Sequence, residues 1–251
     1  MKPFYRLIAC LLLTFVLVES ANATCIIVCR TPTAIYAGAD GKHTLFSSSR
    51  SVATTRCKMV KCGHLYFAAA GVTENPAYSY DIYRLAAEAG DAVGSMGQTI
   101  SRIESLMTQP LSAVLASARD HHKEQYSQFL KFGPLHFVLF GFENGVAVMS
   151  VRDYDAVVSA EGSITLRVNR DTSVDVASGD YATYLGSNKA IRQFRSARPR
   201  FWLSTSPLNG IRKLIQMEIE SNSEYVGPPI SILEVTKEGA RLVENKLHCP
   251  L

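Results

Sequence analysis

Thr24 follows Ala21-Asn22-Ala23, a small-residue cleavage site that closes a leader-like N-terminus. A cut there would give Thr24 a free α-amino group beside its own hydroxyl. A threonine hydroxyl is a poor nucleophile until a base takes its proton, and an N-terminal amine is a base already within reach. Such an amine titrates near roughly 7.7–8.0, so a useful fraction is neutral at physiological pH. The chemistry open to such a residue is attack on an amide carbonyl to form an acyl ester. A cut one residue later would expose Cys25 instead, but Asn22-Ala23-Thr24 is a poorer cleavage site.

Other groups that could do chemistry read as ordinary surface or core. Asp120-His121-His122 falls in a polar helical stretch and is expected to be solvated rather than to hold a metal. Cys57 and Cys62 lack a matching second pair at zinc-knuckle spacing. Ser47-Ser48-Ser49 lies in a loop and resembles no nucleophile elbow. Arg192, Arg195, Arg198, Arg200, Arg212 and Lys213 read as a solvated helix face. No base-stacking aromatic pattern accompanies them, and a net charge of +4 is too mild to imply nucleic acid. Neither a cofactor nor a metal is called for.

Residues 1–23 have the three parts of a signal peptide: basic Lys2 and Arg6, an apolar run from Leu7 to Val18, and the cleavage site. Twelve apolar residues are too few to span a bilayer, which takes roughly 20 in a helix. The expectation is a secreted or periplasmic protein with no membrane anchor once the leader is removed. Removal takes Cys10 and leaves Cys25, Cys29, Cys57, Cys62 and Cys249, an odd number. Cys25 and Cys29 sit about 13 Å apart on an extended strand, too far to bond each other. Cys57 and Cys62, flanking a turn, are the expected local pair.

The elements that must position Thr24 follow from periodicity. Cys25 to Arg30 and Ala34 to Ala39 read as a hairpin around Arg30-Thr31-Pro32-Thr33. Lys58 to Val60 and Leu65 to Ala70 read as a second strand pair, so the first sheet is largely built before residue 71. Thr73 then caps a helix with Pro76 in its first turn and Gly90 at its end. A further helical region runs from about Ser95 to Leu130, interrupted at Pro110. Strands return at His136 to Phe142 and Val146 to Val151 around Asn144-Gly145, and at Ser163 to Val168. Helices follow at about Tyr181 to Arg195 and Leu208 to Glu220, and a hairpin of Ile230 to Val235 with Ala240 to Val243 closes the chain. Two sheets face to face with helix pairs outside would bury every apolar face, giving an α+β, four-layer α-β-β-α sandwich spanning 24–251.

The run from Thr24 through Ala39-Asp40, Lys58-Met59 and Ala68-Ala69-Ala70-Gly71 resembles the N-terminal region of proteasome β-type subunits, in the N-terminal nucleophile hydrolase superfamily. The resemblance continues more weakly through Phe137 to Phe142, Tyr184-Leu185-Gly186-Ser187, and Gly227-Pro228-Pro229 with the last hairpin. It implies that Thr24 is the nucleophile and that Asp40 holds Lys58. The Lys58 ammonium would then lower the pKa of the Thr24 amine. The Gly71 N–H would stabilise an oxyanion, and Ser187 is a supporting hydroxyl. It also implies a threonine-type hydrolase acting on a peptide or small amide, with self-association through its helix pairs. Active members add an Asp and a Ser before the final strand. The matching stretch here offers Ser223 or Glu224 and Val226, so a catalytically silent relative that keeps the fold for binding or assembly is the alternative.

Overall fold

Cys25-Ile26-Ile27-Val28-Cys29 is apolar at every position, which suits a strand covered on both faces rather than one edge-on to solvent. The computed structural model, which describes residues 24–46, 51–91, 94–174, 181–245, 247 and 249, places it in that setting. Strand β1 (Cys25–Arg30) is buried along its whole length. It lies inside a five-stranded sheet in the order β12-β1-β2-β13-β14, made with β2 (Ala34–Asp40), β12 (Tyr181–Gly186), β13 (Ile230–Thr236) and β14 (Gly239–Asn245). A second five-stranded sheet runs β11-β10-β9-β6-β5, from β5 (Met59–Cys62), β6 (Leu65–Gly71), β9 (Leu135–Glu143), β10 (Val146–Val158) and β11 (Ile164–Val174). All their pairings are antiparallel.

Alternation along these strands sorts the core into three clusters. Ile26 and Val28 of β1 share a cluster with Ala68 and Ala70 of β6 and with Val138 and Phe140 of β9, so each sheet turns one face toward the other. Cys25, Ile27 and Cys29 point the opposite way, against Ile191 of α4 (Lys189–Ala197) and Ile211, Leu214 and Ile215 of α5 (Pro207–Ser221). Leu65, Phe67 and Ala69 of β6 meet α1 (Ile82–Asp91), α2 (Met96–His121) and α3 (Lys123–Phe132). The protein is therefore a mixed α+β structure built on antiparallel sheets, with helices covering a face of each.

Several expectations are corrected. The two early hairpins do not share a sheet: β1–β2 belongs to one and β5–β6 to the other. Between them stands a ribbon absent from the sequence reading, β3 (Lys42–Phe46) paired with β4 (Ser51–Thr55). Thr73 caps no helix. A short ribbon, β7 (Glu74–Asn75) with β8 (Tyr80–Asp81), encloses a 3-10 turn at Pro76–Tyr78, and α1 starts only at Ile82. Asp81 takes the capping role, its Oδ1 accepting from the N–H groups of Tyr83 (3.0 Å) and Arg84 (3.2 Å). Tyr78 closes that 3-10 turn and is 38% exposed.

Pro110 does not interrupt α2, which ends eleven residues later at His121. An internal proline costs about 3 kcal/mol, but each fully buried aliphatic side chain returns about 1.5–3. Ile103, Met107, Leu111 and Leu115 form one buried stripe across the proline. Residues 181–186 are strand rather than helix, because β1 needs a partner on its second edge and β12 pairs with all six of its residues. Cys57 bonds Cys249, not Cys62. Cys62 ends β5, inside the cluster under α1, where its thiol donates to Ala86 O. Cys57 precedes β5 and Cys62 ends it, five residue steps further on, about 16 Å if extended, so the two thiols do not meet. Cys25, Cys29 and Cys62 are buried and take no part in this disulfide. The expected leader at 1–23 and Ser47-Ser48-Ser49 lie outside the described residues.

Candidate active site

The polar groups nearest Thr24 are gathered by the ends of strands from both sheets. Asp40 is the last residue of β2, and Lys58 stands just before β5. Both are buried, at 1% and 3% exposed. Lys58 Nζ donates to Asp40 Oδ1 at 2.8 Å, and the N–H of the Thr24–Cys25 peptide donates to the same oxygen at 2.7 Å. Oδ2 accepts from the Gly227 N–H at 3.2 Å. One carboxylate thus joins the start of β1, the lysine of the other sheet and the loop before β13. Burial pushes the Asp40 carboxyl up against the pull of Lys58, and burial lowers Lys58 against the pull of Asp40. An ammonium held this way is desolvated, so its field reaches neighbouring groups with little screening.

Two glycines let the backbone close around Thr24. Gly186 has φ +74°, and a Cβ there would lie 2.0 Å from Thr24 O and 3.2 Å from Ala70 Cβ. Only glycine allows β12 to cross so near Thr24. Gly71 has φ +102°, and a Cβ on it would meet Pro134 O at 2.4 Å. Its neighbour Ala70 is thereby placed beside the Thr24–Gly186 contact, which brings the end of β6 to the same corner. Thr24 itself is 6% exposed.

Ser187 reaches Thr24 through its backbone: its N–H donates to Thr24 O at 2.7 Å. Its hydroxyl turns the other way, donating to Glu218 Oε1 at 2.6 Å and accepting from Asn222 Nδ2 at 2.8 Å. Glu218 is fully buried, and its Oε2 accepts from the N–H groups of Ala190 (3.0 Å) and Ile191 (3.4 Å) at the first turn of α4. This carboxylate was missed in the sequence. Its signal was there: Glu218 continues the apolar stripe Ile211, Leu214, Ile215, and an acid on such a stripe needs donors to receive it. Asn222 caps α5 with its N–H on Glu218 O.

The loop from 223 to 227 departs from the expected supporting pair. Ser223 and Glu224 are exposed, and Val226 is fully buried against α5. Gly227 is the residue of this loop that contacts Asp40, and its carbonyl accepts from the N–H groups of Gly41 and Lys42. Cys25 is fully buried on the helix side, and burial raises its thiol well above the ordinary range, so it is a protonated core residue. Asp120, His121 and His122 are exposed at the end of α2, and Asp120 pairs with Arg119.

A second polar cluster lies beyond Lys58. Arg56 bridges Glu74 and Asp81, and His43 sits within reach of Glu74 and Thr73. Burial first, then the charges of Arg56 and Lys58, lower the His43 imidazole to about 4. Among the described residues no helix is long and apolar enough to cross a membrane. No family model matches the chain, and no curated protein matches it significantly.

Proposed function

We propose that the chain is an exported threonine-type hydrolase of the N-terminal nucleophile class, with a four-layer α-β-β-α sandwich, that cleaves a peptide or small amide bond. The observation that carries this reading is the shared oxygen of Asp40. It fixes Lys58 and the Thr24–Cys25 peptide on one atom, and so sets a buried cation beside Thr24. In the uncleaved chain the Thr24 nitrogen is an amide with no basic lone pair. Removal of residues 1–23 makes it an amine, whose pKa the Lys58 ammonium depresses into the range useful for a general base.

In the proposed reaction the amine takes the Thr24 hydroxyl proton as Oγ1 attacks the substrate carbonyl carbon. The tetrahedral oxyanion forms beside the backbone N–H groups at the end of β6, with Gly71 the assigned donor. Collapse breaks the C–N bond, the ammonium returns its proton to the leaving amine, and an acyl-Thr24 ester remains. Water, deprotonated by the same amine, adds to the ester carbonyl; collapse breaks the C–Oγ1 bond, the ammonium returns its proton to Oγ1, and the acid leaves with the amine free again. Ser187 supports this arrangement by holding Thr24 O through its N–H, while Glu218 and Asn222 fix its hydroxyl.

The buried Val226, where active relatives of this class carry a serine, favours a second reading in which the fold is retained for binding or assembly without catalysis. Thr24→Ala decides between them. Loss of hydrolysis of acyl-amide reporter substrates by an otherwise folded protein is the expected result. Unchanged hydrolysis would remove Thr24 from the mechanism, and no hydrolysis by the processed wild-type chain on a broad reporter set would favour the silent reading.

A further inference from the structure

From Tyr181 to Met217 the chain carries Lys189, Arg192, Arg195, Arg198, Arg200, Arg212 and Lys213 and not one Asp or Glu, although acids are common elsewhere. Folding concentrates this segregation further. The connection between α4 and α5 and the second turn of α5 form a groove of about 620 Å³, lined by Arg198, Arg200, Phe201, Ser204, Thr205 and Lys213. No carboxylate lines it. Among the described residues none comes within 4.0 Å of Arg198, Arg200 or Lys213, whereas Arg212 is paired with Glu244. Arg198 and Lys213 are both steered onto the ring of Phe194, at 5.1 and 5.4 Å from its centroid. Aromatic contact fixes the cations without neutralising them. Like charges held together over a concave surface cost free energy unless an anion joins them.

We propose that this groove is a binding site for a phosphate-type dianion. Two guanidinium forks can each grip a pair of oxygens, and the ammonium adds a third positive charge, more than one carboxylate would neutralise. The Thr205 hydroxyl supplies a neutral donor. The Ser204 hydroxyl is committed to Phe201 O at 3.1 Å and shapes the floor instead. A free phosphate and the phosphate headgroup of a lipid present the same chemistry to the groove. The groove's lining does not include Thr24, and the proposal does not rest on the hydrolase reading.

The test pairs equilibrium dialysis of radiolabelled inorganic phosphate with cosedimentation on phosphatidylcholine vesicles, with and without phosphatidic acid, all at fixed ionic strength. Saturable binding to at least one probe is expected. It should weaken about tenfold or more in Arg198→Ala/Lys213→Ala, as loss of charge-assisted bonds implies, and stay unchanged in Lys131→Ala on α3. Arg200→Ala, at an exposed position, serves as a second variant should the double variant not fold. Dialysis binding without vesicle capture assigns free phosphate, and capture that requires phosphatidic acid without dialysis binding assigns the headgroup. Absence of saturable binding to both probes, or binding equal in the groove variants and wild type, would overturn the site.

Discussion

Replacing Lys58 by methionine removes one charge from the Asp40–Lys58 pair while keeping most of the side-chain volume. The two atoms lie 2.8 Å apart, an attraction of about 6 kcal/mol at an effective dielectric of about 20. Burial opposes this attraction, raising Asp40 and lowering Lys58, so the intact pair contributes far less than that figure to net stability. Breaking it is a different matter. Removing one partner of a buried pair costs about 3–5 kcal/mol, because the other charge is stranded. Asp40 keeps the N–H groups of Cys25 and Gly227, which places Lys58→Met near the lower end, at about 3 kcal/mol. For a chain of this size that corresponds to a fall in melting temperature of about 10 °C. The pH dependence carries the diagnostic sign. Without Lys58 the folded pKa of Asp40 rises further above its unfolded value. Stability tied to that group is then complete below the unfolded pKa of about 3.9 and is lost as pH rises through the folded value. Denaturant midpoints followed by circular dichroism from pH 8 to pH 4 should therefore show a large deficit at pH 8 that narrows toward pH 4. A variant as stable as wild type at pH 8, or a deficit that ignores pH, would refute the description of a buried charged pair.

Three further outcomes follow from the same geometry. Glu218→Ala leaves the Ser187 hydroxyl and two N–H groups of α4 without their acceptor. It should cost about 2 kcal/mol or more in a denaturant titration, with Glu218→Gln losing less. The Cys57–Cys249 disulfide spans 192 residues of chain, for which the chain-entropy model gives about 5 kcal/mol. Cys57→Ser/Cys249→Ser should lower the melting temperature accordingly, by calorimetry. The His43 imidazole, lowered to about 4, makes the native state bind fewer protons than the unfolded chain below about 6.5. Stability should fall as pH drops from about 6.5 to about 4, and His43→Gln should flatten that slope in pH-dependent denaturant midpoints.

Strands with strict alternation or turn chemistry were readable in the sequence because burial imposes a two-residue period that composition cannot hide. Ser163 to Val168, at the start of β11, and the Asn144-Gly145 hairpin are of this kind, and Asn144 and Gly145 both take positive φ. Elements whose local signals were overruled by packing were not readable. Pro110 carries a strong breaker signal, yet the buried stripe of α2 continues past it. Tyr181 to Gly186 reads as helix in isolation, and only the open edge of β1 makes it a strand. The Cys57–Cys249 bond joins positions 192 residues apart, beyond the reach of any local argument. At the site, Asp40 and Lys58 are ordinary by residue type and are picked out only by a spacing that resembles the proteasome β-type subunits; the structure bonds them directly. Glu218 was hidden because a helical glutamate is ordinarily a surface residue. Its partners, Ser187 and the first turn of α4, come together with it only in three dimensions.

The central claim is that Thr24 opens the working protein and accepts an acyl group. Mass spectrometry of the chain recovered from expressing cells tests it in one experiment, after brief incubation with an acyl-amide reporter substrate and acid quenching. The N-terminal peptide should begin at Thr24 and carry the substrate's acyl mass on that residue, and Thr24→Ala should carry none. A chain that begins elsewhere, or an acyl group trapped on another residue, would contradict it.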